Sequence, residues 1–281
     1  MLSRRARIAA LALTLLAIGA GGVGARCLSV GQARCSLDTL LHGAPDLDVP
    51  YAVTRPEAVA AMLDLAEVGP GDHVIDLGTG DGRIAIAAAE RGATALGIDI
   101  DPVLVAEARG KAREAGVAAR TRFLAQDLFE TPLGDADVVT MFLLPEVNQR
   151  LRPRLLAELR PGAHVVSHAF AMGAWQPDGE ARVGGSRLYH WVVPAQVAGR
   201  WTLRDAAGEH ALVLRQAFQR LEGSLANARL TEGRVRGEQI AFDAGGRRYS
   251  GMVSGERMRG EDWEAVRTEA QSSPATSFHQ R

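Results

Sequence analysis

Lysine is nearly absent: Lys111 is the single one among 32 Lys and Arg residues in a chain of 281. A GC-rich coding sequence accounts for such a bias. An enzyme that modifies lysine would also gain by presenting few of its own. Cysteine is scarce too, with only Cys27 and Cys35, and no CxxC or HExxH stretch occurs. Two thiols by themselves do not make a zinc site, so a thiol-based metal centre is not expected. Net charge is also lacking, at −1 with an isoelectric point near 6.7, so no global field draws the chain to nucleic acid. What remains is an ordinary globular composition, 47% hydrophobic and 23% charged. The length suffices for one large domain, or one domain with an extension.

The first 25 residues read as a targeting segment. "MLSRRAR" is a basic leader, and Ile8 to Ala25 is uncharged and largely apolar. That run is barely long enough to span a bilayer. Val23 and Ala25 match the small-residue pattern of a signal-peptidase site. The segment is therefore a cleaved signal peptide or an uncleaved membrane anchor, and the glycines in its distal half favour a signal. Arg4, Arg5 and Arg7 orient the remainder outward by the positive-inside rule, although Arg26 and Arg34 weaken the bias. An exported chain could pair Cys27 with Cys35. Arg26 makes Cys27 a poor lipidation site. The expectation is a membrane-linked or exported protein, on the periplasmic side by charge bias.

Beyond a linker at 26–47, the pattern becomes regular. Pro56 followed by Val59, Met62, Leu63, Leu65 and Ala66 predicts a helix starting near Arg55, ended by "GPGD". Strands and helices then alternate: "HVIDLG", "RIAIAAAERG", "TALGIDI", "PVLVAEARGKAREAG", "TRFLAQD", "ADVVTMFLL", "EVNQRLRPRLLAELRPG", "HVVSHAF". This alternation predicts an α/β fold, a doubly wound Rossmann-like sheet with right-handed crossovers, over residues 48–185. After Trp175 the helices disappear. "GRVRGE" at Gly233 recurs as "GMVSGE" at Gly251, a spacing that suits successive hairpins. Residues 186–265 are thus expected to be a C-terminal antiparallel β-rich extension, and residues 266–281 a mobile tail.

The stretch Asp76–Arg83, "DLGTGDGR", follows a strand and opens a helix. In that context Gly78 and Gly80 let the backbone approach a ligand closely. A dinucleotide loop would read GxGxxG. Here the third glycine, Gly82, arrives one residue early, and Asp81 lies inside the loop. A carboxylate facing a pyrophosphate is repulsive, and Asp76 adds a second negative charge. A cationic ligand without phosphate fits better, and S-adenosylmethionine carries a sulfonium and an ammonium. Asp99 ends the second strand twenty-three residues after Asp76, where a carboxylate reaches both ribose hydroxyls. Asp127 ends the third strand and suits an adenine amino group, with Leu128 and Phe129 as apolar neighbours. Ile100, beside Asp99, is placed with them as a cofactor contact.

Together "VIDLGTGDGR", "GIDID" and "FLAQDLF" resemble class I S-adenosylmethionine-dependent methyltransferases. "VPYAVTRPEAVAAML", "FLLPEVNQRLRPRLLAELRPG" and "HVVSHAFAMGAWQPD" extend the likeness. They resemble the family of the ATP synthase c-subunit lysine methyltransferase and its bacterial relatives, over about residues 48–180. The resemblance implies a seven-stranded methyltransferase fold and transfer to a protein lysine. It implies that Asp76, Gly78, Thr79, Gly80 and Gly82 hold the methionine end and that Tyr51 and Thr54 lie over the cofactor. Val53 and Arg55 replace prolines of that family segment. Because the cofactor is made in the cytoplasm, a domain on the cytoplasmic face is the alternative to export.

No catalytic residue emerges from the sequence. A lysine must lose its proton before it attacks. Enzymes acting on planar base amines place hydrogen-bonding groups after the fourth strand, where this chain has "FLLPEVN". Leu143 and Leu144 cannot serve, which disfavours nucleic acid as acceptor. A protein or peptide acceptor is expected, with a small molecule as the alternative. A non-catalytic exported binding module is a further one, and a nicotinamide-dependent oxidoreductase fits less well. Glu146 reads as a first-turn helix acid, His168 as a core histidine or a base, and Trp175 as packing or the flank of an acceptor channel.

Overall fold

The computed structural model describes residues 53–270. The apolar run at 8–25, the linker, Cys27, Cys35, Tyr51 and residues 271–281 lie outside the described residues. Among the described residues no helix is long and apolar enough to cross a membrane.

The first sheet has seven strands in the order β3-β2-β1-β4-β5-β7-β6. Its parallel strands are β1 (His73–Leu77), β2 (Thr94–Asp99), β3 (Thr121–Ala125), β4 (Val138–Met141) and β5 (His164–His168). A hairpin of β6 (Gly179–Val183) and β7 (Ser186–Val192) completes it, with β7 antiparallel to β5. Among the described residues four α-helices cover the sheet: α1 (Pro56–Leu65), α2 (Arg83–Glu90), α3 (Pro102–Glu114) and α4 (Pro145–Glu158). The alternation of side chains along β1 sorts the two faces. Val74 packs with Met62, Leu63, Ala85 and Ala108 from α1, α2 and α3. Ile75 and Leu77 pack with Leu151 and Leu155 of α4. Each helix start is locally encoded. Pro102 opens α3, and Asp101 accepts from Val103 N at 2.8 Å, a cap worth about 1 kcal/mol.

The second sheet has nine strands: β8 (Gly199–Asp205), β9 (Gly208–Ala217), β10 (Arg220–Leu225), β11 (Ala228–Arg229), β12 (Thr231–Arg236), β13 (Gln239–Ala244), β14 (Arg247–Ser254), β15 (Arg257–Gly260) and β16 (Trp263–Ala270). The expected antiparallel extension is a closed barrel, because β9 pairs with β10 while β16 pairs with β8. Closure satisfies both edges that an open sheet would expose. The barrel is filled by Trp201, Leu203, Phe242, Tyr249 and Trp263. The repeated "GE" steps are the two-residue turns of β12–β13 and β14–β15, with Gly237 at φ 57° and Gly255 at φ 56°.

Two expected boundaries move. The change of architecture falls between Val192 and Gly199 rather than at 185, because β7 pairs along the whole of β5. The tail expected from 266 is strand through Ala270, paired to Gly199. The two units meet where Phe218, in the β9–β10 turn, stacks on Trp175 with ring centroids 6.3 Å apart.

Candidate active site

Strand order reverses between β1 and β4, which opens a crevice at their carboxyl ends. The loop from Gly78 to Gly82 lies there. Gly78, Gly80 and Gly82 have φ of 75°, 54° and 81°. A Cβ on Gly78 would stand 2.8 Å from Leu143 Cδ2, so the loop needs glycine both for its turn and for its packing. Gly97, inside β2, was not singled out from sequence. A Cβ there would stand 2.5 Å from Phe123 and 2.7 Å from Thr79 Oγ1, so its bare backbone seats the loop from below.

Asp76 is 1% exposed, and its two oxygens accept from Thr79 Oγ1 and Thr140 Oγ1, both at 2.7 Å. Burial pushes its pKa up to about 6, against the partial relief of the two hydroxyls. Asp99 accepts from Gly80 N at 2.8 Å and from Asp101 N at 3.0 Å. Burial raises its pKa too. Asp99 therefore ties the end of β2 to the loop.

Asp81 departs from expectation. It does not confront the crevice with a free charge. Arg83 donates to it through Nε at 2.8 Å and Nη2 at 2.6 Å, and Lys111 Nζ lies 2.6 Å away. Burial alone would raise its pKa, but these cationic donors outweigh burial and hold it at about 2. The electrostatic case against a phosphate ligand thus rests on Asp76 and Asp99. Arg83 also donates to the Thr54 carbonyl at 2.8 Å, linking the entry of α1 to the loop.

The residues expected beside an adenine are more open. Asp127 is exposed and caps Phe129 N at 2.8 Å. Ile100 is 44% exposed, unusual for so large an apolar residue, and stands just past Asp99. Leu128 is half-buried nearby in sequence, and Arg150 lies 4.0 Å above the Phe129 ring.

The acceptor side sorts the remaining candidates. Glu146 is an exposed first-turn acid of α4. Asn148 is fully buried and donates to Ser167 Oγ at 3.1 Å and the Phe170 carbonyl at 3.2 Å. Trp175 has no exposed surface and lies tilted against Trp191 with ring centroids 5.7 Å apart, so it packs rather than lining a channel. His168 Nδ1 lies 3.0 Å from Thr54 Oγ1. Phe142, which sequence reading passed over, lies 4.0 Å from the His168 ring, and Phe170 stacks on Phe142 in turn with centroids 6.3 Å apart. Among the described residues no group of three or more His, Cys, Asp or Glu side chains could hold a metal ion.

Comparison with known proteins agrees with this geometry. Residues 76–179 match the ANTKMT methyltransferase domain. A protein-lysine N-methyltransferase of Saccharolobus islandicus is 40% identical over 146 residues, covering 51% of this chain and 91% of that protein. The mouse ATP synthase c-subunit lysine N-methyltransferase is 34% identical over 148 residues, which is 53% of this chain but only 58% of the mouse protein. Among solved structures, an RNA methyltransferase from Salinibacter ruber in complex with S-adenosyl-L-homocysteine is 48% identical with a TM-score of 0.51. The match covers 52% of this chain and 96% of that one.

Proposed function

Since the chain belongs to the family of S-adenosylmethionine-dependent protein-lysine methyltransferases, we propose that it methylates a lysine side chain of a protein acceptor. It is an S-adenosylmethionine-dependent methyltransferase, and the open question is the acceptor. The observation that carries the lysine reading is the apolar stretch after β4. Leu143 is 3% exposed and packs over Gly78, so nothing there can hydrogen-bond a planar base amine. A flexible aliphatic amine needs no such pattern.

The residues fit the cofactor. A Cβ on Gly78 would collide with Leu143, so the glycine loop keeps its close-approach surface. We place the methionine end against Asp76, Gly78, Thr79, Gly80 and Gly82, with Asp81 as a brace and Thr54 above it. We place the ribose at Asp99 and the adenine between Ile100, Asp127 and Leu128. When bound, the cofactor supplies a methyl group already activated by its sulfonium. The chain then has to position and to exclude water. Asp76 and Asp99 provide negative potential for a cationic ligand, and Leu143 keeps the transfer point apolar.

The test uses the full chain with tritium-labelled S-adenosylmethionine and a cell lysate. The purified ATP synthase c-subunit is the first defined acceptor to try, by analogy with the mouse relative. Label should resist ribonuclease, disappear with protease and co-chromatograph with methyl-lysines after acid hydrolysis. Label sensitive to ribonuclease, or lodged in small molecules, overturns the lysine reading.

A further inference from the structure

The register of the first sheet sets three residues side by side. Leu77 pairs with Met141, and Met141 pairs with Ser167. One step further along these parallel strands come Gly78, Phe142 and His168, level at the carboxyl edges of β1, β4 and β5. Gly78 opens the cofactor loop, so Phe142 and His168 are the next side chains across the crevice. Their rings are 4.0 Å apart between centroids, and Phe170 lies 6.3 Å beyond Phe142. Phe142 and Phe170 are half-buried, so this wall reaches the surface.

The turn that holds the wall is heavily constrained. Ala169 sits at φ 67°, a left-handed conformation rare for a residue with a side chain. Its N–H donates to the Arg187 carbonyl at 2.7 Å, and Phe170 N donates to the His168 carbonyl at 2.9 Å. The Phe170 carbonyl accepts from Ser167 Oγ at 2.7 Å and from Asn148 Nδ2 at 3.2 Å. Strain so firmly held marks a place where side-chain direction matters.

His168 itself is only half used. Thr54 takes Nδ1, and Thr54 is tied through Arg83 to the glycine loop. Nε2 has no hydrogen-bond partner among the described residues and is not one of the buried unpaired atoms, so it keeps some accessible surface although His168 is only 5% exposed. In the tautomer whose Nδ1–H donates to Thr54 Oγ1, Nε2 is an acceptor, and a seat for an amine N–H calls for that tautomer. Burial lowers the ring pKa with no charged neighbour opposing it, which favours the neutral imidazole.

We propose that His168, Phe142 and Phe170 form the seat of the acceptor amine, with His168 Nε2 accepting an N–H hydrogen bond from it. This rests on the lysine reading above and names the part of the site that would recognise the lysine. The aromatic rings receive the aliphatic stem. The bond to Nε2 fixes the amine so that its lone pair faces the glycine loop. The acceptor reaches the seat neutral, its proton having left to solvent. The new N–C bond forms as the S–C bond of the sulfonium breaks. The product ammonium then releases its extra proton to solvent, and His168 neither gains nor loses one.

The experiment uses the full chain and the variants His168→Phe, His168→Asn, Phe142→Ala and Thr54→Val. Calorimetry with S-adenosylhomocysteine reports the cofactor side, and n-butylamine at pH 9.5, titrated into that complex, stands in for the lysine side chain. His168→Phe should bind S-adenosylhomocysteine within about twofold of wild type and lose about three- to tenfold in butylamine affinity, the worth of one hydrogen bond. His168→Asn, which keeps an acceptor oxygen, should recover part of that loss and guards against a folding defect. Phe142→Ala should weaken butylamine similarly, and Thr54→Val to a lesser degree. With a labelled acceptor, kcat should fall about a hundredfold in His168→Phe, while the rise of rate with pH set by loss of the acceptor's own proton should remain. Equal butylamine affinity in wild type and His168→Phe overturns the seat, as does an unchanged kcat. Label on lysine with unchanged kcat in His168→Phe removes the seat and leaves the lysine reading standing. Butylamine binding that needs His168, with label in RNA, keeps the amine seat and removes the lysine reading.

Discussion

Asp76 makes cofactor affinity a function of pH. Its carboxyl is wholly buried, its two oxygens meet only threonine hydroxyls, and its pKa stands at about 6 instead of 3.8. The shift of about 2 units corresponds to about 3 kcal/mol favouring the protonated form in the folded protein. The sign follows from linkage. A raised folded pKa gives a stability contribution fully present below pH 3.8 and lost as the pH rises through 6. A cationic ligand reverses the preference, because it stabilises the carboxylate. If binding returns the pKa to about 4, affinity falls about tenfold, or about 1.4 kcal/mol, between pH 7 and pH 5. Calorimetric titration with S-adenosylmethionine at half-unit steps over that range, in two buffers of different ionisation enthalpy, reads both the affinity and the proton released. Asp76→Asn should flatten most of the dependence, leaving the smaller part due to Asp99, whose pKa burial also raises. A wild-type affinity that stays constant from pH 7 to pH 5 would refute the reasoning. An Asp76→Asn profile parallel to wild type would do so as well.

Three further perturbations test the rest of the site. Asp99→Ala should weaken S-adenosylmethionine binding by about 2–4 kcal/mol, since a charged acceptor of two hydroxyls is lost, and should free Gly80 N; calorimetry beside a melting curve separates affinity from folding. Gly78→Ala should cost about 1–3 kcal/mol of stability, because its Cβ would stand 2.8 Å from Leu143 and its φ is 75°, and urea titration measures it. Arg83→Met should cost about 1–2 kcal/mol, a value lowered because the Arg83 side chain is 31% exposed and Lys111 still holds Asp81. It should also loosen Thr54, visible as faster amide exchange ahead of α1.

The legible parts of this fold were those decided locally. Strand–helix alternation, the proline at the start of α1, α3 and α4, and the Asp101 cap depend on neighbours a few residues away. That Asp76, Asp99 and Asp127 come at the carboxyl ends of neighbouring strands was readable because parallel strands end on one side by construction. The missed features were pairings between distant residues. Asp81 meets Lys111 thirty residues later, Thr140 reaches Asp76 across 64, and His168 meets Thr54 across 114. No periodicity announces such contacts. The membership of β6 and β7 in the first sheet was hidden for the same reason. So was barrel closure, because a hairpin sequence does not say which older strand it will join. Gly97 carried a faint signal, since a glycine inside a buried strand marks close approach.

The pairing of β8 with β16 has a consequence for synthesis on the ribosome. The α/β sheet has every strand it needs once Val192 has emerged. The barrel cannot close until Trp263–Ala270 reaches Gly199–Asp205, its first strand. Contacts so far apart along the chain form late. Until then β8 waits with one edge unpaired, and such an edge is prone to wrong partners. The methyltransferase unit can therefore be native while its companion is still a ribbon. Truncations near the end of β16 should leave the first unit folded and trap the second as an aggregation-prone intermediate.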